Sequence, residues 1–485
     1  MLIAAALATP LVGAVLIAAL HRTPNWREAA TLITAGVLFL VVVALTPGVL
    51  AGGRPALDLF EIMPGLTLRF EVEPLGMLFA LIASGLWIVN SIYSIGYMRA
   101  NGEKNQTRFY VCFAGALAST IGIAFAANLL TLFVFYEALT LVTYPLVTHA
   151  GTDEARRGGR VYIGMLVGTS IAFLLVAIVW TFVIAGTLEF TPGGILAGKA
   201  SDALMAVLLA LYVFGIGKAA VMPMHRWLPA AMVAPTPVSA LLHAVAVVKA
   251  GVFTVVKVIV YVFGVDPLAS LGTVEWLPFF AGATILAASI VALRSDNLKR
   301  RLAYSTVSQL SYVVLAAALL TPLSVLGAAL HIAAHAVSKI TLFFAAGAIY
   351  TASHKTEVSQ LAGIGRSMPI TMTAFAIGSL SLVGVPPAIG FMSKWFILQG
   401  AAQSGQYAAL AVILVSTLLN AAYFLPIVHA AFFRAPAGHE EHTDHGEAPW
   451  PMVVALALTA AATIALFFFS GPVLELSRQV AAAAS

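Results

Sequence analysis

The chain has 485 residues, of which 61% are hydrophobic and 9% charged, with a formal net charge of +5. A soluble domain carries roughly a quarter charged residues, so a soluble surface is excluded and apolar surface must face lipid. The positive balance is that of inner loops facing anionic lipid rather than of a nucleic-acid binder, and the single cysteine, Cys112, excludes an internal disulfide or a cysteine-held metal cluster.

A spanning helix needs about 20 mostly apolar residues. Fourteen such segments are predicted, near 2–20, 29–50, 75–97, 109–127, 129–148, 161–185, 202–223, 237–263, 276–293, 302–320, 324–352, 368–400, 407–433 and 450–470. The first lacks the basic n-region of a cleaved signal and is read as a spanning helix. Between the second and third, Asp58 to Glu73 alternates around Pro64-Gly65 and predicts a small hairpin outside the membrane. The fold class is all-α and polytopic. With the N-terminus outside, 16 of the 25 lysines and arginines fall in inner loops, 4 in outer segments and 5 inside predicted helices. That bias puts both termini on the outer, periplasmic side of a bacterial inner membrane.

The five lysines inside helices are Lys218, Lys249, Lys257, Lys339 and Lys394, and among the acids only Glu137 lies deep within a span. One such charge facing lipid at the bilayer centre costs roughly 2.5–3.5 kcal/mol. The lysines must therefore face the bundle interior, a partner charge or water. Glu137 lies mid-helix in Phe135-Tyr136-Glu137-Ala138-Leu139. Lys218, in Gly215-Ile216-Gly217-Lys218, is followed by Pro223 and Pro229, which break the helix and free backbone groups for water or an ion. The plainer reading is a structural Glu–Lys pair joining two helices.

The next helix opens on Pro235-Thr236-Pro237 and carries His243, Lys249 and Lys257. Lys249 is too central to snorkel, whereas Lys257 is near enough to the outer interface to do so. His331, His335 and Lys339, four apart, share one slowly drifting stripe of a helix. Histidine titrates near neutral pH, so a wet stripe of this kind can pass protons along. An i, i+4 histidine pair can also hold a metal, but no acidic or thiolate third ligand is nearby and no metal is expected. Lys394 follows a second break, Pro386-Pro387-Ala388-Ile389-Gly390. Two interrupted helices, each bringing a lysine to its break, point to an internal repeat with a midplane ion route. The loop His439-Glu440-Glu441-His442-Thr443-Asp444-His445 is read as solvated rather than metal-binding. No phosphate loop, nucleophile motif or redox ligand set is present, and neither a cofactor nor enzymatic chemistry is expected.

At these residues the chain resembles the antiporter-like subunits shared by respiratory complex I and the Mrp-type multisubunit cation/proton antiporters. The resemblance rests on Gly217-Lys218-Ala219-Ala220, Pro223-Met224-His225-Arg226-Trp227-Leu228-Pro229, Pro235 through His243, Asp296 through Thr306, His331-Ile332-Ala333-Ala334-His335 and Gly390-Phe391-Met392-Ser393-Lys394. It implies a fourteen-helix core: three helices and the hairpin over 1–108, inverted five-helix repeats over 109–263 and 276–433, and a cytoplasmic loop with a last helix over 434–485. It also implies roles: Glu137 with Lys218 as a charge switch, Lys249 as the central lysine, His331, His335 and Lys339 as a relay, and Lys394 at the outlet. Length and chain end are most similar to the D-type Mrp members. The family often has an acid after Trp-Leu-Pro, where Ala230 and Ala231 stand here.

The expected function is a proton-translocating subunit of a cation/proton antiporter, sodium being the expected cation, that works only with other membrane subunits. Alternatives are a proton channel coupled to a redox complex or to inorganic-carbon uptake, and, from another class, a membrane scaffold whose buried charges specify packing. Five lysines against one acid favour titrating sites over dry pairs.

Overall fold

The structure is a computed structural model describing residues 1–63, 65–435 and 446–484, with the side chains of Met63 and His243 outside that description. The side chain of the candidate site residue His243 and the loop His439 to His445 thus lie outside the description.

Among the described residues the chain is mostly helical, and its rods follow the order of the apolar segments. These are α1 (Leu2–Ala19), α2 (Pro24–Leu50), α3 (Pro74–Ala100), α4 (Gln106–Ala124), α5 (Leu129–Val147), α6 (Asp153–Ala185) and α7 (Asp202–Gly215). Then follow α8 over 236–263, α9 (Trp276–Arg294), α10 (Leu298–Ala318), α11 (Pro322–Ser353), α12 in two pieces (Pro369–Val383 and Ile389–Gln403), α13 (Tyr407–Phe433) and α14 (Trp450–Phe468). A further helix, α15 (Gly471–Ala482), was not expected and packs beside α11 and α3. Ten of the rods are long and apolar enough, uninterrupted, to cross a membrane. The other four, α7, α8, α10 and α12, are shortened, interrupted or polar; Lys218 lies in the turn after α7, α8 carries Lys249 and Lys257, α12 carries Lys394, and α10 sets Tyr312 against Lys394.

β1 (Ala56–Met63) and β2 (Leu66–Glu71) form the predicted hairpin, antiparallel with Ala56 opposite Glu71. The hairpin sits at the start of α5, where Asn128 donates to Thr67 O at 2.9 Å. At the other end of α3 lie Asn101 and Glu103, beside Lys299 at the start of α10. The molecule thus has a hairpin side and an opposite side.

The same capping device recurs on both sides. Asn128 caps α5 by accepting from Thr131 N and donates to Glu189 at 2.9 Å. Asn297 caps α10 by accepting from Arg300 N and donates to Glu357 at 3.1 Å. Each cap satisfies a helix-start amide that would otherwise lack a partner. α10 comes five rods after α5, an odd step, so its start lies on the opposite side and the second device faces the other way.

The core is centred on α11, whose spanning stretch is wholly buried and which touches α3, α8, α10, α12, α14 and α15. Both expected helix breaks, after 202–215 and within 368–400, are present, and only their ends differ from the expected spans. α7 stops at Gly215, and a single 3-10 turn, Gly217–Ala219, follows it. Ala220 then takes φ 55, a left-handed backbone that L side chains adopt rarely. α12 breaks at Gly384, φ 93. The groups freed at both breaks are satisfied within the bundle. Lys218 N donates to the Tyr136 hydroxyl at 3.1 Å, Trp227 Nε1 to Gly217 O at 2.9 Å, and Gly390 N to Ser381 Oγ at 3.2 Å.

Close backbone approach keeps the first break in place. A Cβ on Gly251 of α8 would come within 2.2 Å of Ala219 N and 2.3 Å of Lys218 C, both rigid backbone atoms. Gly251→Ala should therefore destabilise the chain, by about 1–3 kcal/mol as overpacking costs go. Gly168→Ala, with nothing within 4 Å of the added methyl, should not. Thermal midpoints of the two purified variants check this.

Candidate proton-conducting row

All five helix lysines are at most 4% exposed, and each ends on an acceptor. A buried ammonium without a partner would be severely penalised, so these acceptors define where the lysines can sit. Lys218, held at the α7 break, donates to Tyr136 O at 2.8 Å and to Thr140 Oγ1 at 2.6 Å, with its Nζ 3.2 Å from the centre of the Tyr136 ring. Both partners lie on α5, one residue before Glu137 and one turn after Tyr136. Glu137 acts on Lys218 through space but makes no ion pair with it, and its Oε1 is buried without a hydrogen-bond partner among the described residues. The expected close Glu–Lys pair is therefore open here, with the ammonium resting on neutral oxygens of the same helix.

Lys249, on α8, meets His335 Nδ1 on α11 through its Nζ. The His335 ring stacks on His331 at 6.1 Å between centres, as the four-residue spacing on one helix dictates. His331 bonds Ser393 Oγ at 2.9 Å and Gln309 Oε1 at 3.1 Å, and stacks on Tyr312 at 5.7 Å. Over the same Tyr312 ring, at 5.0 Å, lies the Lys394 ammonium. Lys394 also donates to Leu382 O at 2.7 Å and Val383 O at 3.1 Å, capping the carbonyls at the end of the first α12 piece. Lysine is favoured at a helix C-terminus, where carbonyl dipoles point outward. Lys339 hangs one turn beyond His335 and donates to Ser305 Oγ at 2.6 Å and Leu302 O at 3.3 Å on α10.

The structure thus joins Lys249, His335, His331 and Lys394 into one row, with Lys339 on its flank and Lys218 at the first break, where the α8 backbone beside Gly251 presses on it. Tyr136, Thr140, Gln309, Tyr312 and Ser393 belong to the row and were missed from sequence. As neutral residues they carry no charge signal.

Lys257 differs from the rest. It does not snorkel. Its Nζ meets Glu73 Oε1 at 2.9 Å and Ala126 O at 2.9 Å, with both side chains under 10% exposed. Glu73 is the N-cap residue of α3, and sequence reading assigned it to the hairpin end, outside the membrane. The count of five lysines against one acid is corrected accordingly: Lys257 has its own carboxylate.

A cavity of about 720 Å3 lies on the opposite side from the hairpin and is lined by Glu103, Lys299, Thr236, His354 and Ala346 of α11. Burial raises the Glu103 carboxyl above its ordinary range, an effect that Lys299 opposes. Among the described residues no cluster of three or more metal-ligating acids, histidines or cysteines occurs.

Residues 126–420 match the family model described as NADH:quinone oxidoreductase/Mrp antiporter, transmembrane. Subunit N of the NADH-quinone oxidoreductase of Desulforudis audaxviator is 32% identical over 376 residues, which is 76% of this chain and 74% of that protein. The D-type chain of the Na(+)/H(+) antiporter of Alkalihalophilus pseudofirmus is 27% identical, covering 92% of this chain and 89% of the relative. In fold, a chain of the Mrp complex from Dietzia sp. DQ12-45-1b superposes with a TM-score of 0.87 over 99% of this chain and 96% of that one, at 23% identity.

Removing one partner of a buried pair costs about 3–5 kcal/mol, because the other charge is left uncompensated. Lys257→Met should lower the thermal midpoint strongly, and Glu73→Gln added to it should recover most of the loss. Midpoints of wild type, single and double variants in one buffer decide this.

Proposed function

The chain belongs to the NADH:quinone oxidoreductase/Mrp antiporter family of multi-pass membrane proteins, and on that premise we propose that it is the proton-conducting subunit of a membrane complex of the antiporter kind. Its partners are other membrane subunits, with both its termini on the outer side of a bacterial inner membrane. It exchanges protons against a cation, sodium in the first instance, whose gradient drives or is driven by proton flow. The observation that carries this reading is the wholly buried row from Lys249 through His335 and His331 to Lys394.

Lysine and histidine both gain and lose protons, so the row can carry a proton as a succession of short transfers. Water completes the gaps where ring stacking rather than a hydrogen bond joins two members. Glu137 sets the gate. Brought closer to Lys218, its carboxylate stabilises the ammonium; with the two apart, burial disfavours the charge. Motion of the two broken helices changes that separation, and the matched Asn128 and Asn297 devices favour reading 109–263 and 276–433 as two inverted units moving about the row.

The same family also serves redox-driven complexes, as the name of the Desulforudis relative states. The Alkalihalophilus antiporter relative is matched over 89% of its own length, against 74% for the Desulforudis subunit, and this likeness in length favours the antiport reading. Glu137→Ala and Lys218→Ala should each abolish sodium-driven proton movement in inverted vesicles while the complex still assembles on a native gel. Normal rates with Glu137→Ala would overturn the gate.

Lys394→Arg separates a carrier from a fixed charge. Arginine keeps its proton at any working pH, so this variant should assemble at wild-type level and lose turnover by about tenfold or more, a barrier rise of ~1.4 kcal/mol or above. A wild-type rate would leave Lys394 as a packing charge only.

A further inference from the structure

The row makes no use of a polar face on α3. Asn90 lies near the middle of that helix and is 0% exposed, yet neither its Nδ2 nor its Oδ1 has a hydrogen-bond partner among the described residues. One turn away, the buried Trp87 Nε1 also lacks one. Buried polar groups with no protein partner are ordinarily satisfied by ordered water. Trp87, Asn90, Ser94 and Tyr97 follow at steps of three, four and three residues, so they share one face of the helix. Ser84 continues it by one step. Ser84 and Ser94 donate to carbonyls of their own helix at 2.7 Å and 2.6 Å, which leaves each hydroxyl oxygen able to accept.

Two helix registers place this face between the cavity and the row. Tyr97 lines the cavity of about 720 Å3 and interacts through its hydroxyl with Thr236, at the start of α8. Tyr93 donates to Phe344 O of α11 at 2.8 Å. α3 and α11 both end beside the cavity and so run in the same direction, and counting nine residues back on each sets Ser84 level with His335. α8 runs the other way. Phe79 packs on its Phe253, ring centres 5.2 Å apart, and counting four residues from that contact sets Ala83 level with Lys249. The two counts agree, so the face extends from the cavity to the level of the Lys249–His335 contact. At 1.5 Å of rise per residue, Asn90 stands about 10 Å from Tyr97 and about 9 Å from Ser84 along the helix. The α8 register puts Leu242 level with Asn90, inside the π-turn Leu241–Val245, which touches α3. Irregular backbone at membrane depth is kept where protein buries it or where it borders water.

We propose that this face of α3 is a water-holding passage that joins the cavity to Lys249, with Asn90 as its positioning residue. The amide carries no proton itself. It donates through Nδ2 and accepts through Oδ1, so it orients one water toward the cavity and another toward the row. A proton that enters at the cavity adds to the first water, each water hands one proton to the next, and the last gives one to the Lys249 amine. The inference rests on the proton-conducting reading and adds to it the side from which Lys249 is reached.

The test compares wild type, Asn90→Leu and Asn90→Ser in the native complex. An apolar side chain of similar size removes no protein hydrogen bond here, so Asn90→Leu should assemble normally and keep or raise the thermal midpoint, while proton movement in inverted vesicles falls about tenfold or more. Asn90→Ser keeps a hydroxyl and leaves room for water, and should stay within about threefold of wild type. A normal rate in Asn90→Leu, or an equal loss in both variants, would overturn the passage. Radiolytic hydroxyl-radical labelling reads the water itself, because radicals formed in bound water oxidise the side chains beside it. Trp87, at 1% exposure, should be labelled in wild type and lose most of the label in Asn90→Leu. An unlabelled Trp87 in wild type would also overturn the passage. Glu137→Ala serves as the control. It should stop transport and leave the Trp87 label intact, so a failed gate and a failed passage give different results.

Discussion

An ammonium group placed inside an apolar bundle must find an acceptor, and this requirement organises the rest of the molecule. Four of the five buried lysines rest on neutral oxygens or on a histidine nitrogen, and only Lys257 has a carboxylate in contact. Neutral acceptors stabilise a charge without cancelling it. A proton added at one member of the row therefore raises the energy of a second proton at its neighbour, and few can be held at once. On the proposed function, mutual exclusion of this kind is what would let a change at Glu137 be felt further along the row.

The acceptors come from places where regular helix has been given up. At the α7 break, Lys218 reaches across to α5 while Trp227 and Tyr136 satisfy the backbone groups around it. At the α12 break, the terminal carbonyls of the first half-helix are the acceptors of Lys394. Irregular backbone at membrane depth is tolerated where protein buries it. Both breaks are closed in by glycine: Gly251 allows α8 against the first, and at the second a Cβ on Gly390 would stand 1.9 Å from Ser381 O. Charge placement and backbone strain are thus two sides of one arrangement.

Much of this was legible in the sequence. Hydropathy gave the helical rods and their order, prolines marked both breaks, and the spacing of His331, His335 and Lys339 put them on one stripe. The ends of the broken helices were not legible, because Ile216 and Val383 look as helical as their neighbours and only tertiary packing stops the chain at Gly215 and Gly384. Glu73 was misread because it stands at the boundary of a hairpin and a helix, where hydropathy assigns an acid to solvent. Tyr136, Thr140, Gln309 and Ser393 were invisible as site residues, since a neutral acceptor on an apolar helix resembles any other core polar group. The paired Asn-Leu starts at Asn128 and Asn297 are a signal in favour of the proposed repeat that could have been read from sequence. Their partners, Glu189 and Glu357, lie too far along the chain for local reasoning to connect.

The central claim is that the buried row conducts because it is wet where its side chains do not touch. A map of the native complex in lipid, at a resolution that shows ordered water, tests this most directly. The account predicts water density bridging Lys218 to Lys249 and His331 to Lys394, continuous with one membrane face at the α12 break. Dry apolar packing in both gaps, with every lysine locked on the acceptors described above, would contradict it and leave the row as a set of structural charges.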